Sequence, residues 1–196
     1  MRRYTALFLT LLYVVLFVGC SEEAPSVLSY VEKTETGFSW KGLTSTDTGD
    51  ALLEKLGWHT SDVEIQESNL GEFKPVRTIY KKTEPMQFLE TGKIDATFSF
   101  ITQKDINGCH LMSSYISFEG NEKFDYQKLY HTLKSKIEDL YGESILMSGD
   151  ESSLDTIGTQ IVLHWYGTDD STLSLEYMNV EAKSGVQRII VQIGVT

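Results

Sequence analysis

Four histidines, one serine loop and two acidic clusters are the residues in this chain whose types suit catalysis or metal binding. His59, His110, His131 and His164 are scattered, with no His-Glu-x-x-His helix and no Cys/His spacing of the kind that holds zinc. His131 follows Tyr130 on the flank of an apolar stripe, the place of a solvent-edge residue. His164 alternates with Trp165, which puts it on the opposite face of a strand, where a cross-strand polar contact is expected. A serine nucleophile needs a sharp turn and a partnered histidine, and Ser148-Gly149-Asp150 lies in a loop without one. Gly167, Gly185 and Gly194 stand singly, as turn or strand-end glycines do, and form no phosphate-cradling loop. Asp47–Asp50 and Asp169-Asp170 gather carboxylates, but neither offers alternating oxygen ligands, a central glycine and a terminal glutamate together. Turn and cap duty accounts for both. Paired carboxylates for glycoside cleavage would come from distant positions and leave no local signature. The expectation is a protein that is not an enzyme, with no catalytic residue, no metal and no cofactor.

The chemistry the sequence does specify is at Cys20. Arg2 and Arg3 precede an apolar run, Ala6 to Val18, relieved only by Thr10. That run is shorter than the roughly 20 residues needed to span a bilayer, and it suits the apolar region of a signal peptide. Phe17-Val18-Gly19-Cys20 resembles the bacterial lipobox, with Phe17 where leucine is usual, and the polar Ser21-Glu22-Glu23 follows. The resemblance implies cleavage before Cys20, transfer of diacylglycerol to its thiol and a palmitate-type lipid anchor. Several acyl chains on one cysteine hold durably where a single chain is marginal. Ser21 after the cysteine, in place of Asp, implies export to the outer membrane with the folded part facing the periplasm.

Removing residues 1–19 as a signal peptide leaves 177 of the 196 residues and takes the formal charge from −11 to −13, since Arg2 and Arg3 go with it. An acidic chain without a basic face does not suit nucleic acid or anionic headgroups, and its charge serves to keep a tethered domain soluble. With Cys20 acylated, only Cys109 remains, so no intramolecular disulfide can form, and Cys109 is expected as a small half-buried strand residue. A chain of this length buries a core without such staples.

These residues must be positioned by a lipidated tether, 20–37, and an α+β globular region, 38–196. The tether is polar and carries Pro25. A helix is expected over Asp125–Tyr141, where Tyr126, Leu129, Tyr130, Leu133, Ile137, Leu140 and Tyr141 make one stripe, Asp125 caps the start and Gly142 ends it in a left-handed conformation. A second helix is expected near Thr46–Leu56, starting no earlier than Gly49 and stopped by Gly57. The rest alternates with period two. Ile94, Ala96, Phe98 and Phe100 share a face; Asn107-Gly108 turns the chain into a strand over Cys109–Phe118. Strands through Ile161–Tyr166, Thr172–Tyr177 and Ile189–Val195 make an antiparallel meander, and Asp62–Glu67 with Lys74–Lys81 a hairpin around Asn69-Leu70-Gly71.

Leu53-Glu54-Lys55-Leu56-Gly57 and Ile137-Glu138-Asp139-Leu140-Tyr141-Gly142 each close a helix that strands follow, so the globular region could divide into halves 38–120 and 121–196 as a tandem helix-plus-sheet repeat. Gly42-Leu43-Thr44 followed by Leu56-Gly57 resembles the opening of small bacterial envelope lipoproteins of the SmpA type, with Trp58 where proline commonly follows. The tandem layout is similar to that of β-lactamase-inhibitor-protein-like proteins. Both resemblances imply a protein-binding scaffold.

Ten tyrosines and three tryptophans fit that expectation, because such residues dominate interface hot spots. Trp40, Trp58, Tyr115 and Tyr166, each near a turn or on a strand face, are the candidate binding residues. The sequence thus points to a lipid-anchored scaffold that binds an envelope protein. A cell-wall or glycan-acting enzyme and a carrier of a small apolar ligand are the alternatives. A carrier would need an apolar pocket of about 300 Å³ or more.

Overall fold

The computed structural model of the protein describes residues 27–40, 42–69, 76–88, 92–105, 108–119, 124–179 and 187–195. Its fold class is α+β, dominated by one eight-stranded antiparallel sheet. A two-stranded hairpin, β1 (Val31–Lys33) and β2 (Phe38–Trp40), precedes helix α1 (Gly49–Leu56). Four strands follow: β3 (Glu64–Asn69), β4 (Val76–Phe88), β5 (Gly92–Asp105) and β6 (Gly108–Glu119). Helix α2 (Tyr126–Tyr141) then leads to β7 (Ile145–Ser148), β8 (Thr159–Tyr166), β9 (Ser171–Asn179) and β10 (Gln187–Val195). The sheet order is β3-β4-β5-β6-β10-β9-β8-β7, so two four-stranded meanders meet where β6 and β10 pair antiparallel.

The register sorts the side chains into rows. On one face Glu84, Ala96, Phe118, Ile189, Tyr177 and Ile161 lie side by side across β4 to β8. The next row on that face is Lys82, Phe98, Ile116, Val191, Leu175 and Leu163. All but Glu84 and Lys82 in these rows are buried. Period-two alternation therefore gives a single packed face, against which both helices and the β1–β2 hairpin sit.

Helix α2 buries Tyr126, Leu129, Tyr130, Leu133 and Ile137. The Asp125 carboxylate accepts from the Lys128 amide at 2.9 Å, as an N-cap does. The stripe ends sooner than its spacing predicts. Leu140 is 58% exposed, and Tyr141 turns onto the hairpin, its ring 5.3 Å from that of Phe38. Gly142 takes a positive φ of 94° with an extended ψ, not the left-handed helical conformation expected of it. Helix α1 begins at Gly49 and buries Leu52 and Leu53, and Gly57 ends it in a left-handed conformation, φ 67°.

The N-terminal boundary needs correction. Residues 27–37, expected within the tether, are folded where they are described: Val27–Tyr30 form a 3-10 turn, β1 pairs with β2, and Leu28 and Val31 are buried. The three-residue strands Val31–Lys33 and Phe38–Trp40 are too short to show a period, yet their Val31, Phe38 and Trp40 side chains are buried in the core. β3 and β4 pair antiparallel as expected, with Thr60–Asp62 as a 3-10 turn and β4 extending to Phe88; Leu70 and Gly71 of the expected turn lie outside the described residues. Pro85 sits in β4 without breaking it because β3 stops pairing at Lys81, so one side of β4 needs no amide there.

Candidate binding site

The four aromatic candidates fall on opposite faces of the sheet. Trp40 and Trp58 come together on the packed face. Trp40 ends β2 and is only 3% exposed, so it is no surface residue as expected; hairpin packing turns its ring inward. Trp58 follows the α1 stop, placed there by its amide reaching back to the Leu53 carbonyl at 2.9 Å. Tyr30, Phe98 and Phe100 complete a closed circuit of rings. Centroids are 6.3 Å apart for Tyr30–Trp40, 5.6 Å for Trp40–Phe100 and 5.4 Å for Phe100–Trp58. Trp58–Phe98 is 6.2 Å and Phe98–Tyr30 5.4 Å. Most meet edge to face, the geometry ring quadrupoles favour.

These rings line a cavity of about 220 Å³, with Trp40, Phe98 and Phe100 buried at its floor and Tyr30, Trp58, Lys82 and Glu84 at its half-buried rim. The Lys82 ammonium pairs with Glu84 at 2.6 Å and stands 5.5 Å from the centre of the Trp58 ring. That ion pair is partly exposed, so it contributes about 0–1 kcal/mol and is easily parted. Burial, then the nearby Glu84 charge, pushes the Tyr30 hydroxyl pKa up. The Trp40 indole N–H is buried without a hydrogen-bond partner among the described residues.

Sequence reasoning missed Tyr30, Lys82 and Glu84 here. A signal existed in β4, where Tyr80, Lys82, Glu84 and Met86 alternate, so two charges share a face with two core residues.

Tyr115 and Tyr166 lie on the other face, which neither helix nor the hairpin covers. One row there crosses all eight strands: Glu64, Lys81, Ser99, Tyr115, Gln192, Ser174, His164 and Ile145. The neighbouring row is Gln66, Ile79, Ile101, Ser113, Gly194, Thr172 and Tyr166. A hollow of about 430 Å³ opens on this face between Arg77, Met112, Ser113, Gln192 and Tyr166. Tyr115 is half-buried and Tyr166 is 52% exposed. The Tyr166 hydroxyl lies 3.1 Å from His164 Nδ1 and donates to the Met147 sulfur at 3.4 Å. Burial pushes the His164 pKa down. The row ends on β7, where Ile145, Leu146 and Met147 are each half exposed along a sheet edge.

The acidic clusters hold turns. Asp47 accepts from Lys55 Nζ at 2.8 Å and from the Thr44 amide at 2.6 Å, which, with Lys55 foremost, lowers its pKa. Asp169 accepts from the Ser171 hydroxyl at 2.5 Å and amide at 3.0 Å and from Thr36 at 3.0 Å, with the same effect. Asp150 caps the 3-10 turn Glu151–Ser153. No group of three His, Cys, Asp or Glu side chains is close enough to hold a metal among the described residues. His131 is exposed against the Tyr130 ring, and Cys109 is half-buried in β6. Cys20 and the rest of the lipobox lie outside the described residues, as does Asn107 of the expected turn. Comparison of the chain with protein families, curated proteins and solved structures finds no match.

Proposed function

We propose that the protein is a lipid-anchored binding or scaffold protein of the bacterial envelope, held at the outer membrane by acylated Cys20 and facing the periplasm. On this reading another envelope protein docks on the uncovered face of its sheet.

The observation that carries the reading is the composition of that face. It presents Ser113, Tyr115, Ser174, Tyr166 and Gln192, the tyrosine-and-serine mixture that gives protein-binding surfaces rigid contact area and adaptable hydrogen bonds. Among the described side chains, Arg77, Lys81 and Arg188 share it with Glu64, Asp95 and Glu176, in a chain of net charge −11. A face of mixed charge on an acidic molecule can approach an acidic partner with less repulsion than the rest of the surface. The apolar β7 edge continues this surface and, among the described residues, no strand pairs with its outer side, so it could take an added strand.

The sheet order also favours a tandem origin for halves 38–120 and 121–196. Each runs helix then four-stranded meander, and the last strands of the two meet at the centre. The SmpA-type and β-lactamase-inhibitor-like resemblances fit that plan and the scaffold role it implies.

The test is recovery of crosslinked envelope proteins from cells carrying the tagged full chain, Cys20→Ala or Gln192→Arg. One partner captured by the wild-type chain and lost from both variants supports the reading. Capture that survives Gln192→Arg contradicts the docking face, and unchanged membrane attachment of Cys20→Ala contradicts the anchor.

A further inference from the structure

The five-ring cavity on the packed face is a separate feature, and it does not rest on the docking reading. We infer that it is a binding site for a small organic cation, a quaternary or methylated ammonium group, with Glu84 as counter-charge.

Lys82 is the main argument. Its ammonium already stands 5.5 Å over the Trp58 ring and 2.6 Å from the Glu84 carboxylate. The site therefore demonstrates on one of its own side chains which charge it accepts. An indole face and a carboxylate converging on one point favour a cation, and aromatic cages are the usual receptors for alkylated ammonium groups. Tyr30, Phe98 and Phe100 extend the same enclosure with further rings, so a ligand bulkier than a lysine tip finds aromatic surface on several sides. At about 220 Å³ the cavity is smaller than the range occupied by drug-sized ligands and suits a compact head group.

Displacement is feasible because Lys82 can leave. It sits at the rim, partly exposed, on a flexible four-carbon stem that reaches water once released. Its ammonium is strongly hydrated and loses little by returning to solvent, whereas an alkylated ammonium is poorly hydrated and gains more from the rings. Lys82 thus acts as an internal competitor that keeps the carboxylate paired until the ligand arrives. The chain's net charge of −11 concentrates cations around it.

The test uses the full chain in detergent and follows tryptophan fluorescence, since Trp40 and Trp58 both line the cavity. The probes are choline and its uncharged carbon isostere, 3,3-dimethylbutan-1-ol, at matched ionic strength. Saturable binding of choline, at least roughly tenfold tighter than the isostere, is expected. Glu84→Gln should weaken choline about tenfold, and Lys82→Ala should tighten it by removing the competitor. Both substitutions are at the rim, so the fold is retained. Equal binding of the two probes would overturn the inference, as would weaker choline binding by Lys82→Ala. Absence of saturable choline binding in both the wild-type chain and Lys82→Ala would overturn it too.

Discussion

Tyr130 donates its hydroxyl to Glu151 across 2.6 Å, and that bond joins the middle of α2 to the turn that leads into β8. Lys134 grips the same carboxylate through both oxygens, at 2.9 and 2.7 Å. Burial acts to raise the pKa of Glu151, but the Lys134 and Tyr130 hydrogen bonds outweigh it and hold the group below its ordinary 4.5. Burial and the Glu151 hydrogen bond push Tyr130 far above the usual phenol range. A depressed carboxylate pKa contributes stability that is present above the unfolded value and lost as pH falls through the folded one. Glu151→Gln should therefore cost about 1 kcal/mol at neutral pH, a figure kept low because the side chain is a third exposed. Melting curves of the two chains should begin to converge as pH falls below 4.5 and meet only below the depressed folded-state pKa, and a gap that widened in acid would show that the bond does not stabilise the ionised carboxylate.

Leu133 and Leu140 separate the buried and exposed faces of α2. Leu133 is 2% exposed, so Leu133→Asp places an unpaired charge in the core and should prevent cooperative folding. Leu140→Asp, on a residue 58% exposed, should shift stability by about 0.5 kcal/mol or less. Circular dichroism melts read both, and equal effects would mean that the helix packs on a different face.

Gly37 turns the β1–β2 hairpin against the β8–β9 connection. The space a Cβ would need there is filled by the side chains of Asp169 and Ser171, and Ser171 also takes the Phe38 amide at 2.8 Å. Gly37→Ala should push the hairpin away from the β8–β9 connection and cost about 1–3 kcal/mol. Hydrogen exchange of residues 31–40 should speed up before the rest of the chain; unchanged protection would show that the contact is not needed.

Much of this fold is legible in the sequence because it rests on period. The alternations in Ile94–Phe100, Ile161–Trp165 and Ile189–Ile193 each predict one buried face, and each of those faces is the packed side of the sheet. Leu133 and Ile137 reveal α2 in the same way. What escapes is whatever depends on pairing across distance. Nothing local announces that β10 pairs with β6, or that Val31 and Phe38 form a hairpin short enough to read as tether. The ring circuit is hidden for the same reason, since Tyr30, Trp58 and Phe98 come from a turn, a helix end and a strand. Trp40 and Trp58 could be singled out by residue type, but their shared cavity could not.

Docking of an envelope partner on the uncovered sheet face can be read in cells by site-specific photo-crosslinking. A photoreactive side chain replaces Tyr115, in the middle of that face, or Lys136, exposed on α2. A discrete adduct with one envelope protein is expected from position 115 and none from position 136. Adducts from position 136 alone, or none from position 115, would contradict docking on this face.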